Sequence, residues 1–498
     1  MAGRYLRTKP MAVLYIPTQQ QSGAKASSSA LLRSLSDQSS KRWTTNSDHP
    51  DVTASLCVDG DCRLDSRTVE TVLEALDRDP TIDAIVADAV VAGRGVRRPA
   101  WSPTRLLGNP ADLDLLVVRG SHGATDLAAR LDLIAELGPR ARIVHLPAGL
   151  VHVERPVELT HADRLAHQRL VLQRLPNATT SDPTNRGRFV LSTNKLEPVS
   201  VVIPTAGTTD SNGVPMVARA INAVRRSAKS PVEILLVIGD EYTGDAKELE
   251  AEDVHLVRRP PGPWNFSASV NLGILASTQP QVLVLNDDVE LVEPGWLDQM
   301  SVHLQDQQVG AVGALLLYPD HTVQHVGMVT DDAYPLHSFV GRAADELRSF
   351  DADIAAEVIA VTAACLLARR RDLLAIGGFN ESLPHGFNDV DLCLKLHRSG
   401  QRVVVEPNAR LIHHESASRP PVTNQWEWDR FVGRWGDIVD PWYHPGHRRL
   451  DDPHNRRANA DHLDPSSPPF ITTPRDTILR PRVHHARIGA SDSAPTNG

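Results

Sequence analysis

VLVLNDDVELVEPGWL, residues 282–297, is an apolar run that stops abruptly at Asn286-Asp287-Asp288. Short, almost continuous apolar runs belong to strands buried on both faces of a parallel sheet. The turn that follows such a strand lies at the carboxyl edge, where open α/β sheets bind ligands. Two adjacent carboxylates there repel each other and lose hydration, a cost that a positive partner must offset. Oxygen ligands of this kind suit Mg2+ or Mn2+, above all when phosphates complete the coordination. A solvated turn leading to a helix N-cap is the other reading of the same spacing.

The pattern around this turn alternates strand and helix. VSVVIPT (199–205), VEILLVIG (232–239) and VHLV (254–257) read as strands. MVARAINAVRRSA (216–228) has helical spacing with its cations late, where they suit the helix dipole. FSASVNLGILAS (266–277) reads as a second helix. Together they predict an α/β fold with mostly parallel central sheets, covered by helices on both faces.

The first part of the chain echoes the second. AVLYIPT (12–18) parallels VSVVIPT, and CVDGDCRLDSRTVETVLEAL (57–76) parallels VLNDDVELVEPGWLDQMSVHL (284–304). GATDLAARL (123–131) parallels FNDVDLCLKL (387–396), and ARIVHLPAGLVHVERP (141–156) parallels QRVVVEPNARLIHHES (401–416). Four matches in one order predict a duplication. Between the copies, residues 176–198 are polar and turn-rich and read as a linker. After about residue 445 the chain is loaded with Pro, His, Arg, Asp and Ser without apolar period, and residues 446–498 read as an irregular tail.

Two further segments carry chemistry. In HGFNDVDLCLKLHRSG (385–400), Asp389 and Asp391 stand where a helix begins. Residues two apart do not share a helix face, so one carboxylate can point into a cleft while the other holds the loop or caps the helix. In ARLIHHESASR (409–419) a strand ends in His413-His414, and alternation lets at most one of them face a site. Beside two acidic clusters, that histidine reads as a metal ligand.

The chain has 498 residues, more than one ordinary core accommodates. Its net charge of −9 gives no general reason to bind nucleic acid. The start has no long apolar segment of the secretory kind, and the longest apolar run, Val358 to Ala368, is too short to span a bilayer. A cytoplasmic protein is expected, with peripheral association at the inner face of the cell membrane left open. Four cysteines, Cys57, Cys62, Cys365 and Cys393, read as buried free thiols rather than a disulfide framework.

Residues 199 to about 445 resemble an inverting family 2 glycosyltransferase with the GT-A (Rossmann-related) fold, of the kind that builds bacterial O-antigen or rhamnan chains. VSVVIPT, WNFSASVNLGILAS, VLNDDVELVEPGWLDQM, VGAVGALLLYPDHTVQHVGMV, VTAACLLARRRDLLAIGGFNESL, FNDVDLCLKLHRSG and HHESASR carry the likeness, and VDPWYHP (439–445) resembles the family's close. The resemblance implies transfer from a nucleotide diphosphate sugar, dTDP- or UDP-linked, to a hydroxyl of a glycan or lipid-linked glycan in cell-surface polysaccharide synthesis. dTDP-rhamnose and UDP-galactofuranose are family donors. It implies Asp288 and His413 or His414 as ligands of Mg2+ or Mn2+, and Asp389 as general base. Pro204, Thr205, Asn271, Asp287 and Asp391 fall with the donor-binding set. The family's second strand often ends in an Asp that reads the base. Here the run is LVIGDEYTGD and Asp240 is displaced, which leaves uridine or thymidine open.

Residues 1–175 resemble a shortened second copy, with Asp59-Gly60-Asp61 at the acidic turn and His152 at the histidine. If Asp126 matches Asp391, Ala124 stands where the base would be. Tandem GT-A-like domains are therefore expected, the first degenerate and serving structure or acceptor binding. A carbohydrate-binding scaffold and a glycoside hydrolase, which also uses paired carboxylates, are the rival functions.

Overall fold

The computed structural model describes residues 13–17 and 28–442, apart from 60, 97–99, 155–157, 186, 211, 228–231, 243, 245–248, 250, 332–333, 351, 415–423, 437 and 439. The tail expected over 446–498 lies outside the described residues, as do most of the HHESASR and VDPWYHP stretches.

Two sheets organise the chain. The second contains ten strands and holds the turn at 286–288. Its main path runs Val254–Arg258, Val232–Ile238, Val199–Pro204, Gln281–Leu285, Cys365–Arg369, Val309–Leu317, Arg402–His413 and Val289–Leu291. Val323–His325 pairs beside Val309–Leu317, and Ala356–Glu357 beside Arg402–His413. The apolar runs become strands because every residue of Val199–Pro204, Gln281–Leu285 and Cys365–Arg369 is buried. Helix Phe266–Ala276 lies so close to the sheet that a Cβ on Gly273 would come 2.2 Å from Val202. Only glycine fits that crossing.

The α/β class is as expected, but the sheets are mixed rather than mostly parallel. The first four strands of the path are parallel. Cys365–Arg369 then enters antiparallel to both of its neighbours. It lies in the long apolar run from Val358, whose composition specifies burial but not direction.

The first sheet has eight strands. Its path is Trp43–Thr44, Val13–Tyr15, Val52–Val58, Leu115–Arg119, Ala84–Val91, Ile143–Val153 and Arg63–Leu64, with Arg94–Val96 beside Ala84–Val91. Pair by pair, this order and the sense of each pairing repeat those of the second sheet from Val232–Ile238 to Val289–Leu291. The side pairing repeats as well, Arg94–Val96 corresponding to Val323–His325. The internal echo of the sequence is thus an echo of topology.

The stretch read as a linker carries an antiparallel pair, Ala178–Ser181 with Val190–Thr193. Gln305 ties it down, accepting from the Asn177 amide at 2.8 Å and donating to Thr193 Oγ1 at 3.1 Å. Elsewhere the buried Glu357 carboxylate accepts from Ser102, from the amide and hydroxyl of Thr104, and from Arg402. It thereby caps helix Pro103–Gly108 from the other half of the chain. All four cysteines are free and buried, and burial pushes the Cys57 thiol up to about 11. Among the described residues no helix is long and apolar enough to cross a membrane.

Candidate functional site

The strand Gln281–Leu285 delivers Asn286, Asp287 and Asp288 to the sheet edge, and the antiparallel pair Val289–Leu291 with Leu411–His413 closes over them. Val289 is directly opposite His413. This register sets the His413 ring beside the turn, with Nε2 3.1 Å from Asp288 Oδ1.

Hydrogen bonds hold that ring in place. His413 Nδ1 donates to Gln324 Oε1 at 2.6 Å, and Gln324 Nε2 returns a bond to the His413 carbonyl at 3.3 Å. Asn286 Nδ2 donates to His413 Nε2 at 3.1 Å. In this arrangement Nε2 is the accepting nitrogen, engaged by Asn286 and set beside the Asp288 carboxylate. Asp288 Oδ1 is buried and receives no hydrogen bond. An imidazole nitrogen and a carboxylate oxygen held this close fit a shared cation. Ligands at adjacent corners of an octahedron with ~2.1 Å bonds stand about 3.0 Å apart. Among the described residues no group of three or more His, Cys, Asp or Glu converges on a metal position. A cation here would have two protein ligands and complete its shell from phosphate and water, as Mg2+ commonly does.

Asp287 turns the other way. Its Oδ2 accepts from Thr205 Oγ1 at 2.6 Å, and Thr205 Oγ1 accepts from the Gly207 amide at 3.0 Å. Burial pushes the Asp287 carboxyl up to about 6, the Thr205 hydroxyl works against that shift, and the Asp288 charge adds to it. The Thr205 amide in turn donates to the Val237 carbonyl at 3.0 Å, so Pro204 and Thr205 are fixed at the same edge.

Asp389 reaches this edge through the segment 362–364. The Ala363 amide donates to Asp389 Oδ2 at 3.3 Å, and the Ala364 carbonyl accepts from the Asn286 amide at 3.0 Å. The carboxylate is half-buried, in the first turn of helix Asn388–Arg398.

Other expected residues have different employment. The His414 ring is turned to Glu290, 3.0 Å from its Oε2, and Glu290 also faces Arg219, so of the two rings it is that of His413 that faces the Asp288 carboxylate, while the His414 amide donates to the Asp288 carbonyl at 3.0 Å. Asp391, expected among the substrate-binding residues, makes packing contacts. Its carboxylate is fully buried, accepts from the Trp435 indole at 2.8 Å, and lies 3.5 Å from Lys395 Nζ. It holds helix Gln425–Trp435 against the helix that carries Asp389. Asn271, also expected there, is engaged within the chain. Its amide donates to the Phe379 carbonyl and to Glu381 Oε1, both at 2.9 Å, and its oxygen accepts from the Phe379 amide at 2.7 Å. Both ends of the side chain are engaged, clamping a loop whose Gly378 has φ +63°. Asp240 is exposed just past Val232–Ile238, while the adjacent Glu241 pairs with the buried Arg259 at 2.6 Å. Trp264 lies 6.0 Å beneath the Arg259 guanidinium, and Phe266 meets Phe379 edge-on at 6.1 Å.

Gln324 is the residue that sequence reasoning missed. Its signal was a Gln-His pair inside the apolar run VQHVGMV. His325, next to it, is buried, and its Nε2 accepts from the amides of Gly327 and Thr362, both at 3.3 Å. Burial, with His337 and His413 nearby, holds its imidazole well below the usual range.

The first sheet carries a changed version of this site. Arg63 opposes His152 as Val289 opposes His413. Asp59, at the end of the equivalent strand, is held bidentately by the fully buried Arg130 at 2.9 and 3.1 Å. His152 Nδ1 lies 3.2 Å from Arg63, and burial followed by that cation holds its imidazole below the usual value. Asp126 caps helix Leu127–Leu137, accepting from the Ala129 amide at 2.9 Å. Arginines stand where the second site leaves lone pairs.

Comparison with known proteins is consistent with this layout. Residues 197–437 match the family described as "Glycosyltransferase like family 2". The chain is 31% identical over 439 residues to "Uncharacterized protein y4gI" of Sinorhizobium fredii, covering 78% of this chain and 48% of that protein. It is 36% identical over 191 residues to "O-antigen biosynthesis protein RfbC" of Myxococcus xanthus, covering 37% of this chain and 15% of that one. The chain thus spans half or less of the length of these relatives. Among solved structures, GalNAc-T7 with UDP, GalNAc and Mn2+ aligns with a TM-score of 0.41 at 14% identity, over 52% of each chain.

Proposed function

We propose that the domain at residues 197–437, which matches the family described as "Glycosyltransferase like family 2", transfers a sugar from a nucleotide diphosphate donor to a hydroxyl of a cell-surface glycan or glycolipid, with inversion. The observation that carries the reading is His413 Nε2 facing, at 3.1 Å, an Asp288 Oδ1 that is buried without a hydrogen bond. These two atoms would hold Mg2+ or Mn2+. Such a cation, when bound, neutralises charge on the departing diphosphate. The chain's own groups do the rest. Gln324 orients the His413 ring through Nδ1, and Asn286 stands beside its Nε2. Thr205 and Asp287 hold each other at the donor edge.

Asp389 acts as general base. It takes the proton of the acceptor hydroxyl as that oxygen forms its bond to C1, and the C1–O bond to the diphosphate breaks on the opposite face. The leaving group departs with the electron pair, and the anomeric configuration inverts. General-base assistance of this kind contributes ~10²–10⁴-fold. A dTDP- or UDP-sugar is the donor class, and the likeness to a protein named for O-antigen biosynthesis supports a polysaccharide acceptor.

The test is a panel of nucleotide sugars offered to the purified chain with Mn2+ and a glycan acceptor. Mn2+-dependent release of nucleotide diphosphate, matched by sugar gained on the acceptor, supports the reading. Release matched only by free sugar would make the chain a hydrolase, and no turnover of any donor would leave a binding protein.

A further inference from the structure

Beside the helix that carries Asp389 lies a connected group of aromatic rings. The Tyr334 ring centre is 5.0 Å from that of Trp428 and 6.5 Å from that of Phe387. Phe387 is 5.4 Å from Trp428 and stacks at 5.1 Å on the buried Phe431. Phe431 anchors the group, Phe387 and Trp428 are half-buried, and Tyr334 is 44% exposed.

Two observations set these rings apart from ordinary packing. Phe387 has φ +59°, a left-handed conformation that is costly for a bulky side chain and persists only where its surroundings enforce it. The enforcement is visible. The buried Glu427 carboxylate accepts from the amides of His385 and Gly386 at 2.9 and 3.0 Å, holding the chain just before Phe387. The strain sits two residues ahead of Asp389, where Phe387 meets Tyr334 and Trp428. Second, helix Gln425–Trp435, which carries Trp428, exposes polar side chains. Gln425 and Asp429 are exposed and joined at 2.8 Å, and the exposed Arg430 reaches the Ser382 carbonyl. Rings on a helix that also carries amide, carboxylate and guanidinium groups suit a sugar, whose C–H face lies against an aromatic quadrupole while its hydroxyls find polar partners. An acyl chain would need an unbroken apolar surface.

We propose that Tyr334, Phe387 and Trp428 form a platform on which a sugar ring of the acceptor stacks next to Asp389. That the bound sugar is an acceptor rests on the glycosyl-transfer reading.

The experiment is saturation-transfer NMR of the full chain with methyl glycosides of the common hexoses and 6-deoxyhexoses, run beside titration of UDP and dTDP in Mn2+. At least one glycoside should receive saturation on one ring face. Tyr334→Ala should weaken that contact about 2- to 10-fold. Tyr334→Phe, which keeps the ring, should retain it. Trp426→Ala should retain it too, since Trp426 is 48% exposed on the same helix but outside the ring group. The platform is overturned if no glycoside makes contact, if Tyr334→Ala binds as the parent does, or if Tyr334→Phe loses as much as Tyr334→Ala. It is also overturned if Tyr334→Ala instead abolishes binding to phosphatidylglycerol vesicles in a chain that ignores glycosides. Nucleotide binding without glycoside contact refutes the platform alone. Glycoside contact without nucleotide binding refutes the transfer reading and keeps the sugar site.

Discussion

His413 Nε2 lies 3.1 Å from Asp288 Oδ1, while its neighbour His414 is turned to Glu290. The two histidines should therefore differ sharply in their effect on metal binding. Asp288→Asn and His413→Ala should each weaken Mn2+ binding in the presence of UDP by about tenfold or more, and His414→Ala by much less. Electron paramagnetic resonance of free Mn2+ measures this directly. Equal losses for His413→Ala and His414→Ala would show that the strand register does not select the ligand.

Gln324 acts on the site through His413. Replacing it with Leu removes the acceptor for Nδ1–H and frees the ring to change tautomer. Mn2+ affinity should fall about 10- to 100-fold, the usual cost of losing the group that orients a ligating histidine. Gln324→Glu keeps an acceptor oxygen and should recover most of the affinity. If Leu and Glu behave alike, Gln324 serves packing alone.

The first sheet should bind no cation, because Arg130 already neutralises Asp59. Mn2+ titration should saturate at about one per chain. Arg130→Ala should lower stability by ~2–4 kcal/mol in urea unfolding, less than a fully buried pair because the Asp59 side chain keeps 28% exposure. Unchanged stability would mean that the guanidinium contributes nothing there.

Acid should destabilise the fold through its buried imidazoles. Burial brings His167 down to about 4, opposed by its contact with the Leu107 carbonyl, and burial brings His397 to a similar value. Below about pH 6.5 the unfolded chain takes up these protons while the folded chain does not. Their contribution is therefore complete above that pH and is lost as pH falls towards 4. His167→Gln should flatten the fall in urea midpoint between pH 6.5 and 4.5. An identical slope in the variant would remove His167 from the explanation.

Much of this was legible in the residues. The apolar run at 282–285 marked a buried strand, and its abrupt acidic stop marked a sheet edge. The repeated order of motifs in the two halves became a repeated strand topology. Adjacent residues in His413-His414 had to diverge, and they do. What stayed hidden depends on contacts distant in sequence. Asn271 looked available for a ligand because nothing nearby hinted that residues 379 and 381 would occupy both ends of its amide. The spacing of Asp389 and Asp391 indicated different jobs, but not that Trp435, 44 residues on, would take the Asp391 carboxylate. Strand direction was hidden as well, since the buried run Cys365–Arg369 suits a parallel or an antiparallel place equally.

The most direct measurement is steady-state transfer by Asp389→Asn beside calorimetric binding of the nucleotide sugar in Mn2+. The account predicts turnover reduced by ~10²–10⁴-fold with donor affinity unchanged, because the base contributes to the chemical step and not to the diphosphate. Turnover equal to that of the parent chain would contradict it.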